Sequence, residues 1–464
     1  MTEEVFDVVV IGGGPVGENA ADRAVRGGLK TALVDHERFG GECSYWACIP
    51  SKALLRPGNL LAAARRMPGV PVAGSLDPAA VFERRDSFTH KGDDSSQVDW
   101  AQGAGIETVR GHARITGERE VTVDADRVLR ATHAVVVCSG SVPRTPDIPG
   151  LADAPTWTSR DATSSGEVPA RLAVLGGGVV GVEMAQAWAR LGAEVDLILT
   201  GPRPLPKYAD FVGDAVAEGL RADGVRIHAD SGLVKTTAAD GAARLELRDG
   251  RTLIADRVLV ATGRRPATDE LGLDAIGLKP GAPLTVDDTG QVSDVDGGWL
   301  YAAGDVTGRA LLTHQGKYAA RAVGDVIAAR ATAQPVDTGP WSGYTSTADH
   351  HAVPQVVFTD PEVASVGLSG PAEGQPHRAV DVDIAVAGSS LHADGYAGKA
   401  RMVVDTEREV VVGVTFVGQD VADLLHSATI AIVGEVPLRR LWHAVPAFPT
   451  ISEVWLRLLE TYGL

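Results

Sequence analysis

Cys43 and Cys48 are the residues in this sequence best suited to chemistry. They lie in the segment Gly40-Gly41-Glu42-Cys43-Ser44-Tyr45-Trp46-Ala47-Cys48-Ile49-Pro50-Ser51-Lys52. Two thiols five positions apart at a helix start can close a disulfide if the first turn adjusts. The positive end of that helix and the ammonium of Lys52 favour thiolate over thiol. A metal site is the competing reading, but zinc-type sites need further Cys or His ligands and none stands nearby, so no metal is expected. Two inert buried cysteines are the other. The chain has 3 cysteines, the third being Cys138. In a reducing compartment structural disulfides are rare, which makes a close pair catalytic by preference.

The elements that must position this pair occur twice. Phe6-Asp7-Val8-Val9-Val10-Ile11 is an apolar strand that runs into Gly12-Gly13-Gly14-Pro15-Val16-Gly17. Leu172-Ala173-Val174-Leu175 runs likewise into Gly176-Gly177-Gly178-Val179-Val180-Gly181. An alanine-rich helix and a second apolar strand follow each run. The first glycine permits a tight turn, the second lets backbone approach a pyrophosphate, and the third lets helix pack on strand. The helix N-terminus then offers free N–H groups to the phosphates. Two such copies predict two dinucleotide sites. Gly12, Gly14 and Gly17 serve the first, and Gly176, Gly178 and Gly181 the second. A thiolate beside an oxidised flavin can donate into it.

Three further strand–turns are legible: His133–Ser141, ending near Gly140; Val258–Pro266, containing Gly263; and Trp299–Asp305. Prolines 143, 146 and 149 with Gly150 suggest a linker. Beyond about residue 335, strand-like and helical runs alternate in a new pattern, which predicts a separate α+β region. The expected architecture is α/β: two Rossmann-type dinucleotide-binding domains plus a C-terminal α+β domain. The expected boundaries are 1–150 for the first nucleotide-binding domain, 151–266 for the second, 267–338 returning to the first, and 339–464 for the C-terminal domain.

Composition narrows the function. Hydrophobic residues make up 44% and charged residues 22%, with a net charge of -17 and a pI near 5.1. An acidic chain repels nucleic acid, and there is no basic run to hold an anionic membrane. No apolar stretch reaches the ~18 residues of a membrane span, and the N-terminus has no secretory pattern. The expected location is cytoplasmic.

The sequence resembles the flavoprotein pyridine nucleotide-disulfide oxidoreductases, such as dihydrolipoamide dehydrogenase, glutathione reductase and mercuric reductase. The motifs that carry the resemblance are the two fingerprints, Gly-Gly-x-Cys-x4-Cys-x-Pro-Ser-Lys, Ala261-Thr262-Gly263-Arg264-Arg265-Pro266, Ala303-Gly304-Asp305, and Pro446-Ala447-Phe448-Pro449-Thr450-Ile451-Ser452-Glu453. It implies FAD at the first fingerprint, with Asp35 on the adenosine ribose and Asp305 on a flavin-chain hydroxyl. It implies NAD(P)H at the second, with Gly140 and Gly263 lining the cofactor sites. Lys52 and Glu183 would pair near the flavin ring. Cys43 would attack the substrate while Cys48 faces the flavin. A homodimer would complete each site, bringing Glu453 to the partner's cysteines. The acceptor is expected to be a small molecule.

Three departures stand out. The family usually places His before Pro-Thr, and this chain has Phe448, which cannot move a proton. His443, five residues earlier, is an alternative but reads as structural. In the second fingerprint unit, the position equivalent to Asp35 is Leu199, followed by Thr200. The acid that would favour NADH is absent, while Arg203 and Lys207 follow, so NADPH is expected ahead of NADH. Tyr45 and Trp46 are large for their places between the cysteines and read as core. Asp349-His350-His351 reads as a surface loop. The expected function is therefore electron transfer from NAD(P)H through FAD and the Cys43/Cys48 disulfide to a disulfide or other thiophilic acceptor. The rival is a quinone reductase or oxidase of the diaphorase type, in which reduced flavin meets the acceptor directly. A flavin-bound redox sensor is a third, non-enzymatic reading.

Overall fold

The computed structural model describes residues 2–124, 126–239 and 241–464. The chain forms two compact units. One comprises the chain up to Ile49, Asp86–Pro143 and Arg264–His350; the other comprises Pro50–Arg85, Arg144–Gly263 and His351–Leu464. Residues 50–85 thus belong with the second unit, not with the rest of the 1–150 stretch, and the segment after 263 returns to the first.

The first unit is built on a seven-stranded sheet. Strand Thr2–Ile11 lies between Thr31–Asp35 and Arg127–Val137, parallel to both. Leu300–Ala302 also joins Arg127–Val137 in parallel, so the late return is a sheet strand. Both sheet faces are covered, which is why these strands are continuously apolar instead of alternating. Val9 and Ile11 pack with Val135, Val137 and Trp299. Val8 and Val10 pack with Ala20, Ala24, Val323 and Ile327. Helix Pro15–Arg26 lies against helix Thr313–Ala331. Close approach needs Gly324, where a Cβ would sit 2.7 Å from the Ala20 carbonyl oxygen. Arg23 clamps the pair through a two-pronged ion pair with Asp325, at 2.7 and 2.5 Å.

The second unit holds a five-stranded parallel sheet. Its order is Arg226–His228, Glu194–Ile198, Arg171–Leu175, Arg257–Val260, Thr156–Trp157. Trp188, on helix Val179–Arg190, is fully buried in its core beside Trp157 and Phe82. A three-stranded antiparallel sheet, Leu233–Ala239, Ala242–Leu247 and Thr252–Ala255, follows. The C-terminal region is a five-stranded antiparallel sheet carrying helices Leu425–Val433 and Val454–Tyr462. This is the α+β pattern expected after residue 335, although its first strand begins only at Gln355. Among the described residues no helix is long and apolar enough to cross a membrane.

Candidate active site

Both glycine runs form the turns their sequence requires. Gly12 takes φ +108°, and a Cβ there would lie 2.3 Å from the Cys138 carbonyl oxygen. A Cβ on Gly17 would lie 1.9 Å from the Gly12 carbonyl oxygen. Gly176 (φ +103°) and Gly181 repeat the arrangement, again with 1.9 Å to a carbonyl oxygen. Gly14 and Gly178 cap the following helices, and at Gly178, Gly140 and Gly263 an added Cβ would meet open space. These positions leave backbone bare where a ligand's phosphates or rings would approach. The groove at the first run therefore fits a dinucleotide.

Asp35 closes the first repeat. Its Oδ2 accepts the Gly13 N–H at 2.6 Å and its Oδ1 that of Glu37 at 2.7 Å. Asp305, in the turn Gly304–Thr307, accepts the Ser141 hydroxyl at 2.6 Å. Arg264 in turn donates to the Ser141 hydroxyl and carbonyl, at 2.7 and 2.6 Å. Burial raises the Asp305 carboxyl above its usual range, and Ser141 and Arg264 oppose that rise. Ser141 and Arg264 pair across the short strands Ser141–Pro143 and Arg264–Pro266. Sequence reading had marked the Asp but missed its two supports, which only the strand pairing brings together.

Cys43 sits on the short helix Gly41–Tyr45, which starts after Gly40 in a left-handed conformation (φ +95°). Cys48 opens helix Cys48–Arg65. The two thiols carry no disulfide and are hydrogen-bonded to each other. The Cys48 sulfur also lies 3.3 Å from the Thr313 hydroxyl, at the start of the long helix. Such a pair shares its titration, because one thiolate disfavours a second. Cys43 is accordingly pushed far up, first by the hydrogen bond to Cys48, then by burial and by Cys48's charge. Thr313 and the ammonium of Lys317 pull the other way.

That corrects the expected source of positive charge. The cation acting on Cys43 is Lys317, not Lys52. Lys52 donates to Glu183 at 2.7 Å and covers the Phe358 ring at 4.9 Å. Glu183 is almost fully buried and also accepts the Phe358 N–H at 2.9 Å. The expected Lys52–Glu183 pair is therefore present. Thr313 and Lys317 had no sequence mark, since one helix turn 265 residues from Cys48 gives no local pattern.

Glu18 was also missed. It follows the third glycine of the first run, is buried, and its Oε1 meets no hydrogen-bond donor. Burial raises its carboxyl to about 7, aided by Asp35 and opposed by Lys317 and the Gly40 N–H. Cys138 is buried inertly at its strand end, its thiol pushed up to about 12 by burial.

Tyr45 is core, as expected, whereas Trp46, edge-on to it, is only half-buried. Arg38 stacks over Trp46 at 4.9 Å and over Tyr45 at 5.5 Å. Arg203 is engaged: Nη1 bonds Asp210 at 2.5 Å and Nε bonds Asp214 at 3.1 Å. Lys207 is exposed. Phe448 is 76% exposed and His443 is exposed too, while Glu453 keeps a buried Oε2 without a hydrogen-bond donor. Asp349-His350-His351 is not a free loop. It lies in a short helix that keeps both histidines at the surface, tied by His350 on Asp288 at 2.7 Å and by Asp349 accepting from Gln315 at 2.8 Å. Among the described residues no group of three or more His, Cys, Asp or Glu is placed to hold a metal.

The family model for pyridine nucleotide-disulphide oxidoreductase matches residues 6–331, and its dimerisation-domain model matches 353–458. The chain belongs to this family. Relatives of the family named dihydrolipoyl dehydrogenase come from Chlorobaculum tepidum, 33% identical over 97% of this chain and 95% of that one, and from Bacillus subtilis, 31% identical over 98% and 99%. A mercuric reductase from Staphylococcus aureus is 28% identical over 97% of this chain and 81% of its own. The HOCl-induced flavoprotein disulfide reductase RclA from Escherichia coli shares the fold, with a TM-score of 0.82 at 21% identity, covering 98% of this chain and 99% of that one. As a member of the pyridine nucleotide-disulphide oxidoreductases, the chain is a flavoprotein oxidoreductase of the FAD-binding type that uses a pyridine nucleotide.

Proposed function

We propose that this chain takes two electrons from NAD(P)H at the second fingerprint and delivers them, by way of FAD at the first, to the Cys43–Cys48 disulfide. From there they pass to an external acceptor that needs no proton from the enzyme. When bound, FAD supplies the two-electron relay between the nicotinamide and the sulfurs. The side chains do the rest. Gly12, Gly14, Gly17, Gly140, Asp35 and Asp305 hold the flavin nucleotide. Gly176, Gly178, Gly181 and Gly263 hold the pyridine nucleotide. The pairing of Glu183 with Lys52 fixes an ammonium for the flavin ring.

The two cysteines divide the remaining work. Reduction cleaves the S–S bond and leaves a thiolate and a thiol. Cys43 sulfur attacks the acceptor; with a disulfide, one S–S bond forms as another breaks and a thiolate departs. Cys48 then attacks the Cys43 sulfur, re-forming the internal disulfide and releasing the second reduced product. Thr313 steadies Cys48, and Lys317 favours charge at Cys43.

The observation that carries the acceptor class is Phe448 at the position where the family usually has His, together with a Glu453 oxygen that meets no hydrogen-bond donor. A His at 448 would shuttle the proton, work usually worth ~10²–10⁴-fold. Without it the favoured acceptors are a disulfide with a good leaving thiol, or a thiophilic electrophile or metal ion taken as substrate. The mercuric reductase relative supports the second group. The dimerisation region pairs two copies, so that Glu453 and Phe448 face the partner's cysteines.

The test is an anaerobic NADPH titration of the purified flavoprotein, with Cys43→Ser alongside. The expected result is a long-wavelength thiolate-to-flavin band at about two electrons per subunit, and a Cys43→Ser variant inactive with thiophilic acceptors. Simple bleaching without the band, with full activity of Cys43→Ser toward a quinone, would overturn the reading in favour of direct transfer from flavin.

A further inference from the structure

The end of the second fingerprint's second strand offers no carboxylate. Leu199 stands there, 2% exposed, with its Cδ2 2.5 Å from where a Gly177 Cβ would be. Adenosine ribose approaches this strand end in a Rossmann unit, and an acid there would bind its free hydroxyls. Sequence order offers Arg203 as a cation in place of the acid. In the structure Arg203 is already held by Asp210 and Asp214. A phosphate there would compete with two carboxylates for the guanidinium.

A different arginine reaches the same strand end from the antiparallel sheet. Arg248 donates its backbone N–H to the Gly232 carbonyl at 2.9 Å. Its guanidinium folds back over Gly232, with Nη2 3.4 Å from the place a Cβ would take. Thr200 Cγ2 lies 3.2 Å from that same point. Two backbone bonds tie the two turns together: Ser231 N–H to the Leu199 carbonyl at 3.0 Å, and Asp230 N–H to the Gly201 carbonyl at 2.9 Å. A side chain at 232 would press on both the guanidinium and Thr200, so the glycine leaves them on either side of one small gap. Arg248 is exposed, and among the described residues no carboxylate lies within ion-pair distance of it. Its neighbour Asp249 is taken by Arg251 and Ser231.

We infer that Arg248, flanked by Thr200, is the residue that reads the 2′-phosphate of NADPH, and that Arg203 is a structural tie of its own loop. A guanidinium presents paired N–H donors that match a phosphate's oxygens, and an unpaired one loses no ion partner on binding. The inference rests on the proposed use of the second fingerprint for a pyridine nucleotide. Asp230 is the nearby acid that would oppose the phosphate.

The experiment is calorimetric binding of 2′,5′-ADP and of 5′-AMP to the holoenzyme, in the natural chain, Arg248→Gln, Arg248→Lys and Arg203→Gln. Arg248→Gln is expected to weaken 2′,5′-ADP by about tenfold or more while 5′-AMP moves by less than about twofold. Arg248→Lys should recover part of the loss, and Arg203→Gln should leave the ratio of the two ligands nearly unchanged. The NADPH-to-NADH ratio of kcat/KM should fall in step with the binding ratio in Arg248→Gln. A selective loss in Arg203→Gln with a neutral Arg248→Gln would overturn the inference. So would a natural chain that binds both ligands alike, even though it oxidises a pyridine nucleotide. A holoenzyme that oxidises neither NADPH nor NADH would instead sink the underlying functional reading.

Discussion

Gly12 and Gly176 take φ of +108° and +103°, and Gly14 and Gly178 cap their helices with φ and ψ that agree within a few degrees. The third glycines, Gly17 and Gly181, each sit where a Cβ would be 1.9 Å from a carbonyl oxygen. The side chains around these matched backbones differ. Over Gly13 lie Asp35 and Phe39; over Gly177 lie Leu199 and Pro204. After Gly17 comes buried, charge-capable Glu18; after Gly181 comes fully buried Val182. The comparison teaches that the glycines fix the same backbone twice, and that the two runs differ at the strand end and in the first helical turn.

The hardest way to break the comparison is to fill the tight glycines. Gly17→Ala should cost the flavin, read as lost visible absorbance after gel filtration. Gly181→Ala should keep the flavin but lower kcat/KM for NADPH by roughly 100-fold, near the top of the ~1–3 kcal/mol that overpacking costs. Equal flavin loss in both variants would mean the two cradles do not act separately.

A smaller effect is expected at Glu18. Its folded carboxyl is raised from 4.5 to about 7, mainly by burial. The folded chain therefore keeps a proton that the unfolded chain has released, and stability falls as pH climbs through that window. Glu18→Gln should remove this fall, gaining about 3.5 kcal/mol near pH 8 and almost nothing near pH 4, at ~1.4 kcal/mol per pH unit. Denaturant midpoints at the two pH values check it, and a gain of equal size at both would refute the assignment.

The finest test grafts one cradle's strand end onto the other. Leu199→Asp should accept the Gly177 N–H as Asp35 accepts that of Gly13. The NADH-to-NADPH preference should rise by about tenfold, or ~1.4 kcal/mol. An unchanged preference would place the selectivity elsewhere on the strand end.

Much of this was legible because it is local. Each glycine run, its strand and its helix fit within about thirty residues, so the folds at Gly12 and Gly176 follow from order alone. Cys43, Cys48, Asp35 and the Lys52–Glu183 pair were found by motif, and the structure brings the last two together as expected. What escaped was assembled by pairing between distant segments. Lys317 and Thr313 reach the cysteines from a helix near the end of the first unit. Arg248, from another sheet, and Thr200 come to the same glycine, Gly232. Arg203 misled for the opposite reason: its partners Asp210 and Asp214 lie on the helix just after it, so its charge was satisfied locally.

The division of the first unit into three stretches of chain bears on how the protein is made. Helix Pro15–Arg26 emerges from the ribosome early, yet its packing partner Thr313–Ala331 follows far behind, with 302 positions between Arg23 and Asp325. The strand Leu300–Ala302 is equally late. During most of synthesis the nascent flavin cradle has one uncovered flank, and contacts this distant in sequence form slowly. The first glycine cradle is thus completed late, after the parallel sheet of the second unit has already left the ribosome.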